Sequence, residues 1–173
     1  MEDQMDIPQH EVRWRRMLLS DFELVSRIEH RAFLSPTHPY FQPYSRQQFE
    51  KLLRERFVFG FVLYLGECVL AYSICKFSQE DTFIYRIAVD PDHQRTGVGD
   101  LLVQLIKASV KGSGRHDVLT VVPADLLVVQ LFFRSMGFNA LRPRESDLIE
   151  FIWLYPPSRM ETEAFHAIIK NAY

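Results

Sequence analysis

Six consecutive residues, Gln94-Arg95-Thr96-Gly97-Val98-Gly99, combine two glycines with an arginine directly before a predicted helix. Glycine lets the backbone approach a ligand closely and adopt conformations that other residues avoid. The N–H groups at the start of a helix, together with the helix dipole, favour a bound phosphate. Arg95 adds a fixed positive charge for the same anion. The segment therefore predicts a phosphate-binding site, and the simpler interpretation is a turn that only joins a strand to a helix.

Two common phosphate-binding motifs do not fit this segment. The Walker motif requires a lysine followed by serine or threonine after its last glycine, whereas Asp100 and Leu101 follow Gly99. The dinucleotide-binding motif requires a third glycine or an alanine, and Leu102 occupies that position. Asp117 is spaced like a ribose-binding acid, but it begins a predicted strand instead of ending one. Neither of these two classes is predicted.

Two stretches resemble the GNAT superfamily of N-acetyltransferases. The first is Ile87-Ala88-Val89-Asp90-Pro91 followed by the segment 94–99, which resembles that family's Q/R-x-x-G-x-G/A motif after a hydrophobic strand. The second, Leu131-Phe132-Phe133-Arg134-Ser135-Met136-Gly137-Phe138, is similar to the family's later L-Y-x-x-x-G-F helix end. The order of the predicted elements also agrees with the family, from about residue 12 to residue 155.

The resemblance implies an enzyme that transfers an acetyl group from acetyl-CoA directly to a primary amine. Backbone groups of Ile87 and Val89 would pair with the pantetheine arm, and a backbone N–H near Val89 would stabilise the thioester oxygen. The N–H groups from Arg95 to Gly99 would hold the pyrophosphate. The cofactor-binding residues expected on this basis are Ile87, Ala88, Val89, Gln94, Arg95, Thr96, Gly97, Val98, Gly99, Asp100, Leu126 and Phe133.

The departures from the family pattern fall on its catalytic positions. Phe133 stands where many members have a tyrosine that protonates the departing thiolate, and phenylalanine has no proton to give. Leu126 replaces an asparagine that contacts the cofactor, and Val121 replaces a glutamate of relatives that acetylate protein N-termini. General acid–base assistance contributes roughly 10²- to 10⁴-fold, so its loss slows transfer without abolishing it. The alternative is an acyl-CoA-binding or regulatory domain with weak or no catalysis.

A site without a strong base favours an acceptor that is partly neutral near pH 7. An α-amino group with a pKa of about 7.7–8.0 is roughly 10–15% neutral at pH 7, whereas a lysine amine with a pKa of about 10.4 is roughly 0.04% neutral. We therefore expect a protein or peptide N-terminus, or a small weakly basic amine. The candidate catalytic residues are Glu29 on the first helix and His38 and Tyr40 in a proline-rich loop; each also fits a packing or surface role.

Alternating strands and helices must position these residues. Strands are predicted over residues 11–19, 57–65, 68–77, 82–89, 117–122, 138–142 and 148–155. Helices are predicted to follow capping boxes at Ser20, Ser45 and Ser158, to begin near Val98, and to cover residues 125–136, the last being apolar enough to be largely buried. Together they predict an α/β fold of GNAT type, with a mixed, mostly antiparallel sheet of about seven strands flanked by helices.

The chain length predicts one domain with short additions at both ends. Residues 1–11 are expected to form a flexible tail, residues 12–155 a GNAT-like acetyltransferase domain, and residues 156–173 a helical extension. We expect the extension to dock back on the body or to join a partner chain, as in a homodimer, because its apolar residues lie on one side: Met160, Ala164, Phe165, Ile168 and Ile169.

Composition limits the remaining function classes. The 20 basic and 22 acidic residues give a net charge of -2, so we expect no nucleic-acid partner. The chain shows neither a secretory signal nor an apolar run of about 18 residues, so we expect no membrane span. Cys68 and Cys75 are expected to be buried thiols in the reducing cytoplasm. The six histidines show no metal-binding spacing, so no metal site is predicted.

Overall fold

Seven strands form one sheet, and helices lie along its faces. The structure, a computed structural model, describes residues 11–33, 42–113, 117–145 and 147–154. The strands are β1 (Arg13–Arg16), β2 (Val58–Leu65), β3 (Cys68–Phe77), β4 (Asp81–Val89), β5 (Asp117–Pro123), β6 (Asn139–Glu145) and β7 (Leu148–Leu154). The helices are α1 (Phe22–Ala32), α2 (Arg46–Arg54), α3 (Val98–Ser113) and α4 (Leu127–Ser135), with 3₁₀ turns at Leu19–Asp21 and Pro91–His93.

The order of the strands in the sheet is β1-β2-β3-β4-β5-β7-β6. β4 and β5 run parallel, joined by a crossover through α3, and the pairs β1–β2, β5–β7 and β6–β7 are antiparallel. A parallel pair beside antiparallel pairs is what a hairpin meander followed by a helical crossover produces. The predicted mixed sheet of seven strands flanked by helices is confirmed. The predicted tail 1–11 falls almost entirely outside the described residues, and the C-terminal extension falls wholly outside them.

The described residues group into two compact units. The first unit takes residues 11–33, 42–74 and 86–102, and the second takes residues 75–85, 103–113, 117–145 and 147–154. The first unit has a core in which α1, α2 and the strands meet, formed by Met17, Val25, Ile28, Phe49, Val62, Tyr72, Ile74 and Ala88. In the second unit, Phe133 of α4 lies against Phe138 and Phe151, at ring-centroid distances of 5.1 and 6.3 Å.

The start of α1 differs from the prediction. The expected capping box at Ser20 is wrong, because a 3₁₀ turn occupies Leu19–Asp21 and Asp21 itself precedes the helix without a side-chain cap bond. Asp21 Oδ2 instead accepts a hydrogen bond from the N–H of Leu18, at 2.7 Å. Both Asp21 oxygens also accept from the guanidinium of Arg15, each at 2.7 Å. Ser20 therefore lies inside a 3₁₀ turn, and Asp21 is bonded to Arg15 on β1.

The capping box at the start of α2 is confirmed. The Oγ of Ser45 accepts a hydrogen bond from the N–H of Gln48 at 3.3 Å, and Gln48 Oε1 accepts from the N–H of Ser45 at 2.8 Å. Two N–H groups that a helix start leaves without intrahelical acceptors are thereby satisfied. This places the segment before α2 at a defined position.

Two burial predictions are wrong. The helix predicted over 125–136 spans Leu127–Ser135 and exposes an apolar stripe, with Leu127, Val128 and Leu131 exposed by 61%, 77% and 53%. Its inner face carries Phe133 and Gln130, whose Nε2 donates to the carbonyls of Pro123 and Ala124 at the preceding turn. Cys68 is exposed where β3 begins, while Cys75 is buried.

Candidate cofactor and acceptor site

The segment predicted to bind phosphate joins β4 to α3. Arg95 and Gly97 have positive φ angles of 62° and 82°, so two left-handed residues alternate with ordinary ones just before Val98 starts the helix. Such alternation turns successive N–H groups toward one concave side and makes an anion-binding nest. The N–H groups of the first turn of α3, which have no intrahelical acceptors, continue this surface. The arrangement fits a pyrophosphate group, and the exposed Arg95 side chain adds positive charge beside it.

Side chains of the segment hold its shape. Thr96 Oγ1 donates to the carbonyl of His93 at 2.6 Å, and Gln94 Nε2 donates to the carbonyl of Val89 at 3.3 Å. The side chains of Gln94 and Thr96 therefore support the backbone of the segment. Asp100, in the first turn of α3, is an exposed residue, and partial desolvation of its carboxyl group raises the pKa of that group.

A salt bridge from α1 fastens the start of this segment. The Arg31 guanidinium donates to Asp90 Oδ2 at 2.8 Å and lies 2.7 Å from Asp92 Oδ2. Asp90 also accepts from the N–H of Asp92 at 3.1 Å, and its own N–H donates to the carbonyl of Leu70 at 2.8 Å. Sequence reasoning missed Arg31, because nothing local to it indicates a partner 59 residues away.

The candidate residue Glu29 lies in the interior of the first unit, with 0% of its surface exposed. Its Oε1 accepts a hydrogen bond from the Tyr72 hydroxyl at 2.6 Å, and its Oε2 accepts from the N–H of Tyr44 at 2.8 Å. Arg86 Nη1 is 3.7 Å from Oε1. Burial, reinforced by the negative charge of Glu29, raises the pKa of Tyr72 well above its ordinary value. Tyr72 is therefore a hydrogen-bond donor to the carboxylate at neutral pH.

The remaining predicted residues are divided between the units. Ile87, Ala88 and Val89 form the end of β4 in the first unit. His38 and Tyr40 lie outside the described residues. In the second unit, Leu126 directly precedes α4, and Phe133 is 1% exposed among the aromatic rings described above. Among the described residues, no group of three or more histidine, cysteine, aspartate or glutamate side chains is arranged to hold a metal ion.

Glu150 was missed by sequence reasoning. In the β5–β7 register it lies directly opposite Val121, and residues that are opposite in an antiparallel pair project from the same face. A carboxylate therefore stands on β7 beside the position at which the family resemblance expects one on β5. Glu150 can be located only from the register between β5 and β7, and the sequence alone does not give this register.

In the described part of the chain, no helix combines the length and the apolar character needed to cross a bilayer.

The Sγ of the exposed Cys68 lies 3.9 Å from Nε2 of His93, in the 3₁₀ turn after β4. No disulfide links Cys68 and Cys75.

Comparison with known proteins identifies the family. The chain matches the sequence model of the acetyltransferase (GNAT) family over residues 22–138, well over half of its length. It is 28% identical over 120 residues to the [ribosomal protein bS18]-alanine N-acetyltransferase of Escherichia coli K12, covering 69% of this chain and 76% of that enzyme.

Solved structures agree in fold. The crystal structure of the ribosomal-protein-S18-alanine N-acetyltransferase from Escherichia coli superposes with a TM-score of 0.71 at 22% identity, covering 85% of this chain and 96% of that one. The N-acetyltransferase PaiA from Thermoplasma acidophilum, solved with coenzyme A, gives a TM-score of 0.67 at 16% identity, covering 83% and 99%. The chain belongs to the acetyltransferase (GNAT) family and is an acyl-CoA-dependent N-acyltransferase.

Proposed function

We propose that the protein transfers the acetyl group of acetyl-CoA to the α-amino group of a protein or peptide N-terminus. The amine nitrogen attacks the thioester carbonyl carbon, a C–N bond forms, and the C–S bond breaks. The nitrogen loses one proton, and coenzyme A leaves as the thiol. The observation that carries the proposal is the nest at Arg95 and Gly97 at the start of α3.

The coenzyme A half of the site is assigned to the first unit. The N–H groups from Arg95 to Gly99 would hold the pyrophosphate, with Arg95 supplying charge. The backbone of Ile87, Ala88 and Val89 would pair with the pantetheine arm as an added strand does. The hydrogen bonds of Gln94 and Thr96 and the salt bridge of Arg31 support this assignment, because they fix the conformation of the segment before the ligand binds.

The proposal also specifies the acceptor amine. An α-amine is the expected acceptor because Phe133, Leu126 and Val121 provide no acid or base at the positions where the family resemblance expects functional side chains. The similarity to an enzyme named for an alanine of ribosomal protein bS18 points the same way. The free thiols of Cys68 and Cys75 suit a reducing compartment, and we propose the cytoplasm.

One observation favours a second candidate function, an acyl-CoA-binding protein with weak or no catalysis. Phe133 is buried against Phe132, Phe138 and Phe151 and offers no proton to a departing thiolate. Since the cofactor segment is complete and the acid is missing, binding without efficient turnover is consistent with the same residues.

Thiol release from acetyl-CoA separates the two candidates. The acceptors are a peptide with a free N-terminal alanine, the same peptide with its N-terminus blocked and one internal lysine, and a small polyamine. The proposal expects release with the first peptide, at a rate that exceeds those of the other two. Faster reaction of the blocked lysine peptide would contradict the choice of acceptor. Binding of acetyl-CoA without release for any amine would favour the second candidate.

A further inference from the structure

Four charged or polar groups meet in the interior of the first unit, beside the strand assigned to the cofactor. Glu29 comes from α1, Tyr72 from β3 and Arg86 from β4, and the backbone of Tyr44 comes from the segment before α2. The Arg86 guanidinium also donates to the carbonyl of Gln42 at 3.2 Å. We call Glu29, Tyr72 and Arg86 the buried tether, because together they bind the backbone of residues 42 and 44.

Aromatic rings close the buried tether. The Cζ of Arg86 lies 4.4 Å from the ring centroid of Tyr44 and 5.4 Å from that of Phe33. The guanidinium therefore stacks on residues from both ends of the connection between α1 and α2, since Phe33 directly follows α1 and Tyr44 shortly precedes α2. Both ends of this connection are held against one side chain of β4.

Stability alone does not explain such a cluster. A buried ion pair is often matched or exceeded in stability by apolar side chains of similar volume, because desolvation opposes the attraction between the charges. The cluster supplies a fixed geometry. Glu29 accepts a hydrogen bond from the N–H of Tyr44, and Arg86 donates one to the carbonyl of Gln42. Tyr72 binds the other carboxylate oxygen and so orients Glu29.

Arg86 directly precedes the residues Ile87 to Val89 that are assigned to the pantetheine arm. The segment 42–44 therefore lies against the strand that would carry the thioester end of acetyl-CoA. An attacking amine must come within about 3–3.5 Å of the acyl carbon, so the backbone beside this strand limits how it approaches. We propose that the buried tether positions the segment before α2 as a wall of the amine-acceptor site, and that Glu29 is a positioning residue and not the catalytic base. This inference rests on the proposed function.

Two conservative variants test the proposal in the full-length protein. Tyr72→Phe removes the donor to Glu29 and keeps the ring, and Glu29→Gln keeps the shape and removes the charge. The control is Tyr64→Phe, the same chemical change in β2, outside the tether. Three quantities are measured: the acceptor KM with the N-terminal alanine peptide, the Kd of coenzyme A, and the hydrogen-exchange rate of the Tyr44 amide.

We expect both tether variants to raise the acceptor KM at least about fivefold, because a small displacement of positioning groups is sufficient for that. The Kd of coenzyme A should stay within about twofold of the wild-type value, and the Tyr44 amide should exchange at least about tenfold faster. Tyr64→Phe should change none of the three. Should Glu29→Gln fail to fold, Tyr72→Phe alone decides.

The outcomes separate the two levels of inference. Faster exchange at Tyr44 with an unchanged acceptor KM would show that the buried tether is merely structural, and would overturn its positioning role. Equal weakening of coenzyme A binding and acceptor binding would overturn it too. A wild-type protein that binds coenzyme A but acetylates no amine would overturn the proposed function itself, whatever the exchange data show.

Discussion

At the residue scale, three replacements separate this chain from the family pattern, and we propose that one neighbour compensates for part of the loss. Phe133 removes a proton donor and Val121 removes a carboxylate, yet Glu150 lies directly opposite Val121. Because the two residues are paired, the Glu150 carboxylate on β7 projects from the same face of the sheet as the side chain of Val121 on β5. The site therefore lacks an acid more clearly than it lacks a base.

The variant Glu150→Gln tests this compensation. If the carboxylate accepts a proton from the amine, kcat/KM for the N-terminal alanine peptide should fall about 10²-fold, because that is the lower range of general base assistance. The Kd of coenzyme A should not change. Glu67→Gln, an exposed acid in the turn between β2 and β3, is the control. An unaltered kcat/KM in Glu150→Gln would show that the carboxylate is not a catalytic base.

Gly97 gives a second prediction at this scale. Its φ of 82° is unfavourable for residues with a Cβ, so Gly97→Ala should lower the free energy of unfolding by about 1–2 kcal/mol. The substitution should also turn the neighbouring N–H groups away from the nest and weaken coenzyme A binding about tenfold or more. Isothermal titration of coenzyme A measures this effect.

Gly66 is the matched control for Gly97. Its φ is 58°, and a Cβ added there would meet nothing within 4 Å. Gly66→Ala should therefore destabilise the protein by a similar amount while leaving the Kd of coenzyme A unchanged. Equal losses of coenzyme A affinity in the two variants would mean that Gly97 acts only through stability. This result would contradict the proposal that the nest binds coenzyme A.

At the element scale, the junction of β1 and α1 predicts a dependence of stability on pH. Burial alone would raise the pKa of Asp21, but the hydrogen bonds from Arg15 and from the N–H of Leu18 outweigh it and lower the pKa. A carboxyl group whose pKa is lower in the folded state stabilises that state above its unfolded pKa of about 3.9. This contribution is lost as the pH falls through the folded-state pKa.

Asp21→Asn should therefore lower the free energy of unfolding by about 1 kcal/mol at pH 7, a value reduced by the partial exposure of Arg15. The difference between the variant and the wild type should shrink as the pH falls below about 4. Urea unfolding at a series of pH values measures it, and 1 M salt should reduce the difference at pH 7. A difference that stays constant down to pH 3 would contradict the assignment to the Asp21 charge.

Local signals in the sequence placed most elements, and long-range contacts account for the errors. The strand predicted over 68–77 has those bounds because a turn at Gly66 and Glu67 begins it, and the Ser45 box needs only residues 45 and 48. The capping box predicted at Ser20 is wrong because Ser20 lies inside a 3₁₀ turn, in which Asp21 is bonded to Arg15 and to the N–H of Leu18. Apolar content predicted burial of α4, but a nine-residue helix presents only one stripe to its unit.

The same reason separates the two halves of the candidate site. The segment that we propose to bind the cofactor is contiguous from residue 86 to residue 100, so glycine, arginine and helix-start signals indicate it together. The buried tether joins Glu29, Tyr72 and Arg86, residues 43 apart or more along the chain from Glu29. No periodicity or motif links such residues, so only the fold brings them together.

At the scale of the whole molecule, coenzyme A binding must appear as stability, because a ligand that binds only the folded chain shifts the unfolding equilibrium. Free coenzyme A at 100 times its Kd should add about 2.7 kcal/mol to the free energy of unfolding. For a chain of 173 residues this corresponds to a rise in Tm of roughly 5–10 °C. Thermal unfolding followed by circular dichroism, with and without coenzyme A, measures the shift. Gly97→Ala should lose most of it at the same coenzyme A concentration, whereas Gly66→Ala should keep it. The absence of any shift with either acetyl-CoA or coenzyme A would refute the cofactor site, because no binding energy would then be linked to the native state.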